Sequence, residues 1–227
     1  IFGVPVYGDF APSAIHDWMK NLQGNGKRCT QFVTYGARST GHAHFHTKQL
    51  LGQAGFEVLL SAEFLGRHTF NVAGWEAIPE RPDETDFAVV REYAALALER
   101  FQMENPPKFH LQKPFGYNSA VKRFDHKEKR TERGWTQPVR VTESCSMCRL
   151  CERDCPTQAF NADTGESNIQ TCIGCMRCVY HCPDDVLRIN AGMKDAYQNF
   201  KKDWFLTEEL MQAKESQIIT GPLQAQR

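Results

Sequence analysis

Two periodicities run through the first hundred residues. Residues 1–7 (IFGVPVY), 28–36 (RCTQFVTYG) and 56–64 (FEVLLSAEF) are short apolar or β-branched runs bounded by glycine and proline, the pattern of buried strands. The segments between them have helical spacing. Residues 13–22 (SAIHDWMKNL) put Ile15, Trp18, Met19 and Leu22 on one stripe with Gly24 placed to end the helix, and residues 42–54 (HAHFHTKQLLGQA) stop at Gly55. After a loop containing Gly66, Gly74 and Pro79, residues 83–101 (DETDFAVVREYAALALERF) start from Asp83 as N-cap and direct Phe87, Val90, Ala94, Leu98 and Phe101 inward. Strands alternating with helices predict an α/β unit, a parallel sheet with helices on both faces, whose ligands bind at the carboxyl ends of the strands. Two segments, PVYGDFAP and TYGARSTG, lie at such ends. Each sets an aromatic, Tyr7 or Tyr35, before a glycine that lets the backbone approach a flat ligand.

Past residue 140 cysteine replaces periodicity as the signal. Eight of the nine cysteines lie between Cys145 and Cys182, in two copies of C-x2-C-x2-C-x3-C-P: CSMCRLCERDCP and CIGCMRCVYHCP. This run ligates 4Fe-4S clusters in bacterial two-cluster ferredoxins, where the fourth cysteine serves the other cluster. The spacing therefore assigns Cys145, Cys148, Cys151 and Cys182 to one cluster, and Cys172, Cys175, Cys178 and Cys155 to a second. Pro156 and Pro183 turn the chain after each crossover ligand. The D-T-G turn in AFNADTGESNIQ and the run DDVLRIN predict a pseudo-symmetric pair of strand, cysteine loop and short helix. Disulfides need an oxidising compartment and a secretory route, which the sequence does not show. Structural zinc takes paired C-x2-4-C or Cys/His sets and has no use for two four-cysteine runs each ended by C-P. Cys29 stands apart and reads as a buried free thiol.

Charge changes the picture mainly by exclusion. Lys plus Arg and Asp plus Glu each number 27, so no net field draws the chain to nucleic acid or to an acidic membrane. No run approaches the roughly 20 apolar residues of a membrane span, and no signal peptide is visible, so a cytoplasmic location is expected. The mixed-charge stretch at 122–133 reads as solvated surface. Its Lys122, Arg123, Lys127, Lys129 and Arg130 would steer an acidic redox protein partner. His42, His44 and His46 at alternating positions point in different directions on a helix and read as solvated or capping. His68 follows the third strand, but no partner for it is identifiable and it receives no catalytic role. Met193, Tyr197, Phe200 and Trp204 recur at helical spacing near the C-terminus.

V-P-V-Y-G before a Pro-Ser helix start, V-T-Y-G-x-R before a glycine, and the later R-P-D resemble the flavodoxin-like part of the flavodoxin-ferredoxin fusion proteins ("EFR1 family ferrodoxin"). The resemblance covers essentially the whole chain. It implies an N-terminal flavodoxin-like domain and a C-terminal two-cluster ferredoxin joined by a Pro-rich linker. It further implies that Pro5, Val6, Tyr7 and Gly8, with Thr34, Tyr35, Gly36 and Ala37, flank the isoalloxazine ring of FMN. The chain departs from the pattern at its start: no Ser/Thr/Gly-rich phosphate loop precedes Ile1, and in the strand order 2-1-3-4-5 its first strand would be the third. The expected fold is thus an α/β flavodoxin-like parallel sheet lacking its first strands, followed by an α+β ferredoxin-like domain. A fragment of a longer protein, or a sheet completed by another chain, is the expectation from that gap.

The expected organisation is a partial flavodoxin-like domain at 1–104, a linker at 105–140, a two-cluster ferredoxin at 141–191 and a C-terminal helix and tail at 192–227. The expected function is electron transfer through two 4Fe-4S clusters coupled to FMN, with a redox protein as partner and no nucleic acid. No catalytic residue is assigned. The absence of histidine among the ligands argues against Rieske-type sites and for a low potential in an oxygen-poor cytoplasm. The alternatives are a flavin-dependent reductase fed by the clusters and an iron-sulfur subunit of a larger complex.

Overall fold

The computed structural model describes residues 1–75, 77–125, 137–189, 198–199, 201–203 and 205–221. These fall into two compact units: Ile1–His68, Ala77–Ser119 and the segment from Glu208 make up the first, and Thr69–Glu76 with Ala120–Thr207 the second. No helix among the described residues is long and apolar enough to cross a membrane.

The first unit is built on a sheet of four strands. β1 (Phe2–Pro5), β2 (Arg28–Tyr35) and β3 (Glu57–Leu65) are parallel and adjacent in chain order, with Phe2 opposite Gln31 and Arg28 opposite Glu57. α1 (Ser13–Lys20) and α2 (Ala43–Gln53) cross between them, and α3 (Glu84–Gln102) follows β3. The α/β expectation holds at this level. Helices flank both faces: Val4, Met19, Val33, Leu50 and Leu51 share one core, while Leu60, Ala62, Phe64, Tyr93 and Ala97 form the other. A β-bulge in the β2–β3 register lets Val58 pair with Cys29 and Ser61 with Gln31, so one extra β3 residue intervenes. As a result Val58, Ser61 and Glu63 share the α2 side while Leu60, Ala62 and Phe64 turn to α3.

The fourth strand comes from the far end of the chain. β8 (Gln217–Ile219), preceded by the short helix α7 (Glu208–Gln212), pairs antiparallel with β3, placing Ser61 opposite Ile219 and Glu63 opposite Gln217. The segment expected as C-terminal helix and tail therefore contributes a strand, and the outer edge of β3 is paired. The Met193, Tyr197, Phe200 and Trp204 stripe lies outside the described residues.

α3 buries a different face from the one expected. Phe87, Val90 and Leu98 are exposed, whereas Asp86, Tyr93 and Arg100 are buried at seven-residue spacing. Each buried polar group is satisfied. Asp86 holds Arg81 and Ser216, the Tyr93 hydroxyl is hydrogen-bonded with Gln31 O and Thr30 Oγ1, and Arg100 donates to Leu59 O and Pro107 O. Hydrogen bonding here outweighs apolar periodicity, because a satisfied polar group loses the penalty that keeps it outside. Asp83 caps the helix as expected, accepting from Thr85 N and Asp86 N.

The second unit carries α4 (Tyr117–Asp125), most of it, and a sheet of two-residue strands in the order β5-β6-β4-β7: β4 (Val139–Arg140), β5 (Phe160–Asn161), β6 (Glu166–Ser167) and β7 (Leu187–Arg188). All its pairs are antiparallel. Two single-turn helices, α5 (Leu150–Arg153) and α6 (Arg177–Tyr180), follow the cysteine loops. Residues 105–140, expected as linker, thus contain a helix and a strand. Lys122 and Arg123 lie on α4; Lys127, Lys129 and Arg130 lie outside the described residues.

Candidate functional site

The two cysteine runs adopt one backbone conformation repeated 27 residues on, from Cys145 to Cys172. Met147 and Gly174 have φ of 56° and 67°, Arg149 and Met176 both 57°, and Gln158 and Asp185 both 52°. These left-handed residues turn the chain sharply between cysteines, a geometry that costs a non-glycine residue free energy and persists only where its surroundings hold it. The hydrogen bonds repeat as well. Arg153 N donates to Arg149 O at 2.9 Å as Tyr180 N does to Met176 O at 3.0 Å, and Gln158 N donates to Cys155 O as Asp185 N does to Cys182 O, both at 3.2 Å.

The eight thiols gather around two hollows. Cys145, Cys148, Cys151 and Cys182 line the first, of about 360 Å³; Cys155, Cys172, Cys175 and Cys178 line the second, of about 330 Å³. Three cysteines of each group come from one run and the fourth from the other run. Phe160, buried at the start of β5, lines both hollows. All eight are free thiols, as is the buried Cys29. Among the described residues no group of three or more His, Cys, Asp or Glu closes around a single metal ion.

The thiols differ in electrostatics. Burial pushes Cys178 up to about 12, aided by Cys175 and Cys172, and burial likewise raises Cys151 and Cys175. Cys155 goes the other way: burial opposes its thiolate, but the amides of Thr157, Ala159 and Phe160 outweigh it and hold the thiol below its ordinary value. Ala159 N lies 3.1 Å from Cys155 Sγ, and Met147 N 3.4 Å from Cys145 Sγ. Crowded, buried thiols that repel one another's negative charge need a cation to deprotonate them, and iron bound by thiolates supplies that charge. The donor set, four sulfurs per hollow with amides directed at them, fits an iron-sulfur cluster.

The flat-ligand residues come together in the first unit. Parallel pairing sets Pro5 opposite Thr34, and Val6 N donates to Thr34 O at 2.9 Å, so the segments Pro5 to Gly8 and Thr34 to Ala37 stand side by side at the carboxyl ends of β1 and β2. Tyr7 bridges to Phe10 across Gly8 and Asp9, with φ of 59° and 74°. The open side of Gly36 is filled by His68: a Cβ there would meet the imidazole at 2.4 Å. A flat ligand would therefore reach Gly36 from that side only if His68 moved. Burial, then Arg38, lowers His68 to about 4.

The histidines expected as solvated or capping are placed otherwise. His44 is buried between β3 side chains: its Nε2 lies 3.1 Å from Glu63 Oε2 and its Nδ1 2.8 Å from Ser61 Oγ. Gln31 Nε2 donates to Ser61 Oγ and His44 O, and Gln217 Nε2 to Glu63 Oε1. His46 is buried against the Tyr117 hydroxyl at 2.7 Å, and His42 takes the N-cap position without a side-chain cap. The spacing of residues 42–46 indicated divergent directions but not what each side chain would meet. Sequence reading also missed Arg140 and Phe160 as lining residues. The one available signal was the repeat itself, which aligns β4 with β6 and β5 with β7.

Residues 137–183 match a family model described as a 4Fe-4S dicluster domain. No curated protein and no solved structure matches the chain. The match begins within the stretch expected as linker and takes in β4. It supports a ferredoxin-like iron-sulfur domain and, with it, iron-sulfur electron transfer.

Proposed function

We propose that this chain is an electron carrier whose two four-cysteine hollows each hold a 4Fe-4S cluster, Cys145, Cys148, Cys151 and Cys182 ligating one and Cys155, Cys172, Cys175 and Cys178 the other. The observation that carries the reading is the exchange of the fourth cysteine between the two runs around two hollows of nearly equal size. When bound, such clusters supply one-electron storage without acid, base or nucleophile. The chain's own residues do the rest. The left-handed turns at Met147, Arg149, Gly174 and Met176 aim the sulfurs, amides at Met147 and Ala159 soften sulfur charge, and Phe160 keeps water from the wall common to both sites.

Coupling to FMN in a flavodoxin-like first unit, as in the fusion proteins the sequence resembles, belongs to the same proposal. The adjacency of the segments at 5–8 and 34–37 supports it, while His68 against Gly36 speaks against a ready-made ring slot.

Iron, acid-labile sulfide and acid-released flavin per chain, measured on anaerobically purified protein, test this reading. About eight irons are expected from two four-iron clusters. Iron near zero after anaerobic purification and reconstitution would sink the proposal. Eight irons with about one FMN would support flavin coupling, and eight with none would leave a two-cluster carrier.

A further inference from the structure

Resting on the reading that both hollows hold 4Fe-4S clusters, we propose that Arg140 raises the reduction potential at the first hollow, one of the charge differences that make two sites of a single repeat inequivalent. The repeat supplies the comparison. Arg140 ends β4 and lines the first hollow; 27 residues on, Ser167 ends β6 and lines the second. A guanidinium and a hydroxyl thus occupy equivalent places.

Arg140 is pinned at its place. Its Nη1 donates to Ala162 O at 3.0 Å and approaches Met147 Sδ at 3.5 Å, and its Nη2 donates to Asp163 O at 3.2 Å. Gly165, at φ 73°, leaves it room: a Cβ there would lie 2.7 Å from Arg140 Cβ and 3.0 Å from its Nε. These partners are carbonyls and a thioether; the Asp163 carboxylate also feels the charge of Arg140 but is paired with Arg149, and among the described residues no ion pair holds Arg140 itself. Arg149, which also lines the first hollow, is instead paired with Asp163 and Glu152, each at 2.7 Å. Asp184 is the carboxylate on that lining, and it accepts from Ser146 N and Oγ at 2.7 Å. At the second hollow Ser167 donates to Pro138 O at 3.2 Å, and among the described residues the charged one on the lining, Arg177, is exposed, where water screens it.

Reduction of either cluster adds one electron and no proton, so the site gains one negative charge. A fixed, partly buried cation beside it favours the reduced state, which raises the potential; net charge near the cluster is one of the protein's levers on it. The serine at the equivalent place exerts no such pull.

The test is an EPR-monitored redox titration of the full chain, with dithionite oxidised as each cluster takes up one electron. Arg140→Gln should lower one midpoint by about tenfold in the reduction equilibrium, about 59 mV for a one-electron couple, and leave the other in place. Arg140→Lys should keep the wild-type value, since it keeps the charge. Ser167→Arg should raise the other midpoint. Two clusters with both midpoints unmoved by Arg140→Gln, or both moved alike, would overturn the proposal and leave the carrier reading intact. A wild-type chain without clusters would overturn both. Should Arg140→Gln fail to hold a cluster, Ser167→Arg decides, and an unmoved midpoint there counts against the proposal.

Discussion

His16 and His68 in the first unit are held neutral, and this fixes the sign of one pH dependence. Burial, with His46 and Lys20 beside it, lowers His16 to about 4, and burial with Arg38 lowers His68 to about 4, against an ordinary value of 6.5. A group whose folded pKa is depressed binds its proton more readily when unfolded, so its contribution is complete above pH 6.5 and is lost as pH falls toward 4. Glu63 acts in the same direction at lower pH. Burial opposes its charge, but hydrogen bonds from His44, Gln217 and Thr40 outweigh burial and hold its pKa below 4.5. The urea midpoint, followed by tryptophan fluorescence, should therefore fall steadily from pH 6.5 to 4, and less so in a His16→Gln, His68→Gln double variant. Equal falls in both proteins would contradict this account. At this scale the sequence was legible where a residue acts through its own chemistry, as in the cysteines, and illegible where a role depends on a neighbour, as with His44 on Ser61 and Glu63.

Elements read well where one face is apolar throughout, as with Leu60, Ala62 and Phe64 on β3, and poorly where polar groups are buried in pairs. α3 shows the difference: its most apolar stripe, Phe87, Val90 and Leu98, is exposed because Asp86, Tyr93 and Arg100 find partners on the sheet side. β8 is short and carries little pattern, yet it is anchored by Ser216, which accepts from Leu65 N at 2.9 Å and donates to Asp86 Oδ1 at 2.5 Å. Ser216→Ala leaves the buried Leu65 amide without its acceptor and takes one donor from Asp86 Oδ1, which keeps Arg81, and should cost about 1–3 kcal/mol. The loss should appear as faster hydrogen exchange at Leu65 and along β8, with the amides of α1 unchanged. Uniform acceleration across the first unit would mean the serine supports the whole fold rather than this strand.

At the scale of the molecule, the crossover of cysteines makes each proposed cluster depend on both halves of the repeat. Cys182→Ser removes a ligand that lies in the second run but lines the first hollow. Its remaining EPR signal should therefore match that of Cys148→Ser and differ from that of Cys175→Ser, with iron falling from about eight toward four. The opposite match would place Cys182 with its own run and undo the crossover assignment. The chain also crosses back at larger scale, since β8 follows the cysteine unit in sequence and pairs with β3.

The sequence by itself determined the iron-sulfur chemistry, because eight thiols at one repeated spacing leave little else they can do, and it determined the α/β character of the first unit, because strand and helix periods are local. Tertiary structure alone decided which helix face is buried, where β8 pairs, that His68 fills the side of Gly36, and that a guanidinium at one hollow answers a hydroxyl at the other. Each of these depends on groups far apart in the chain meeting in space, through hydrogen bonds and fixed charges whose partners no local pattern names.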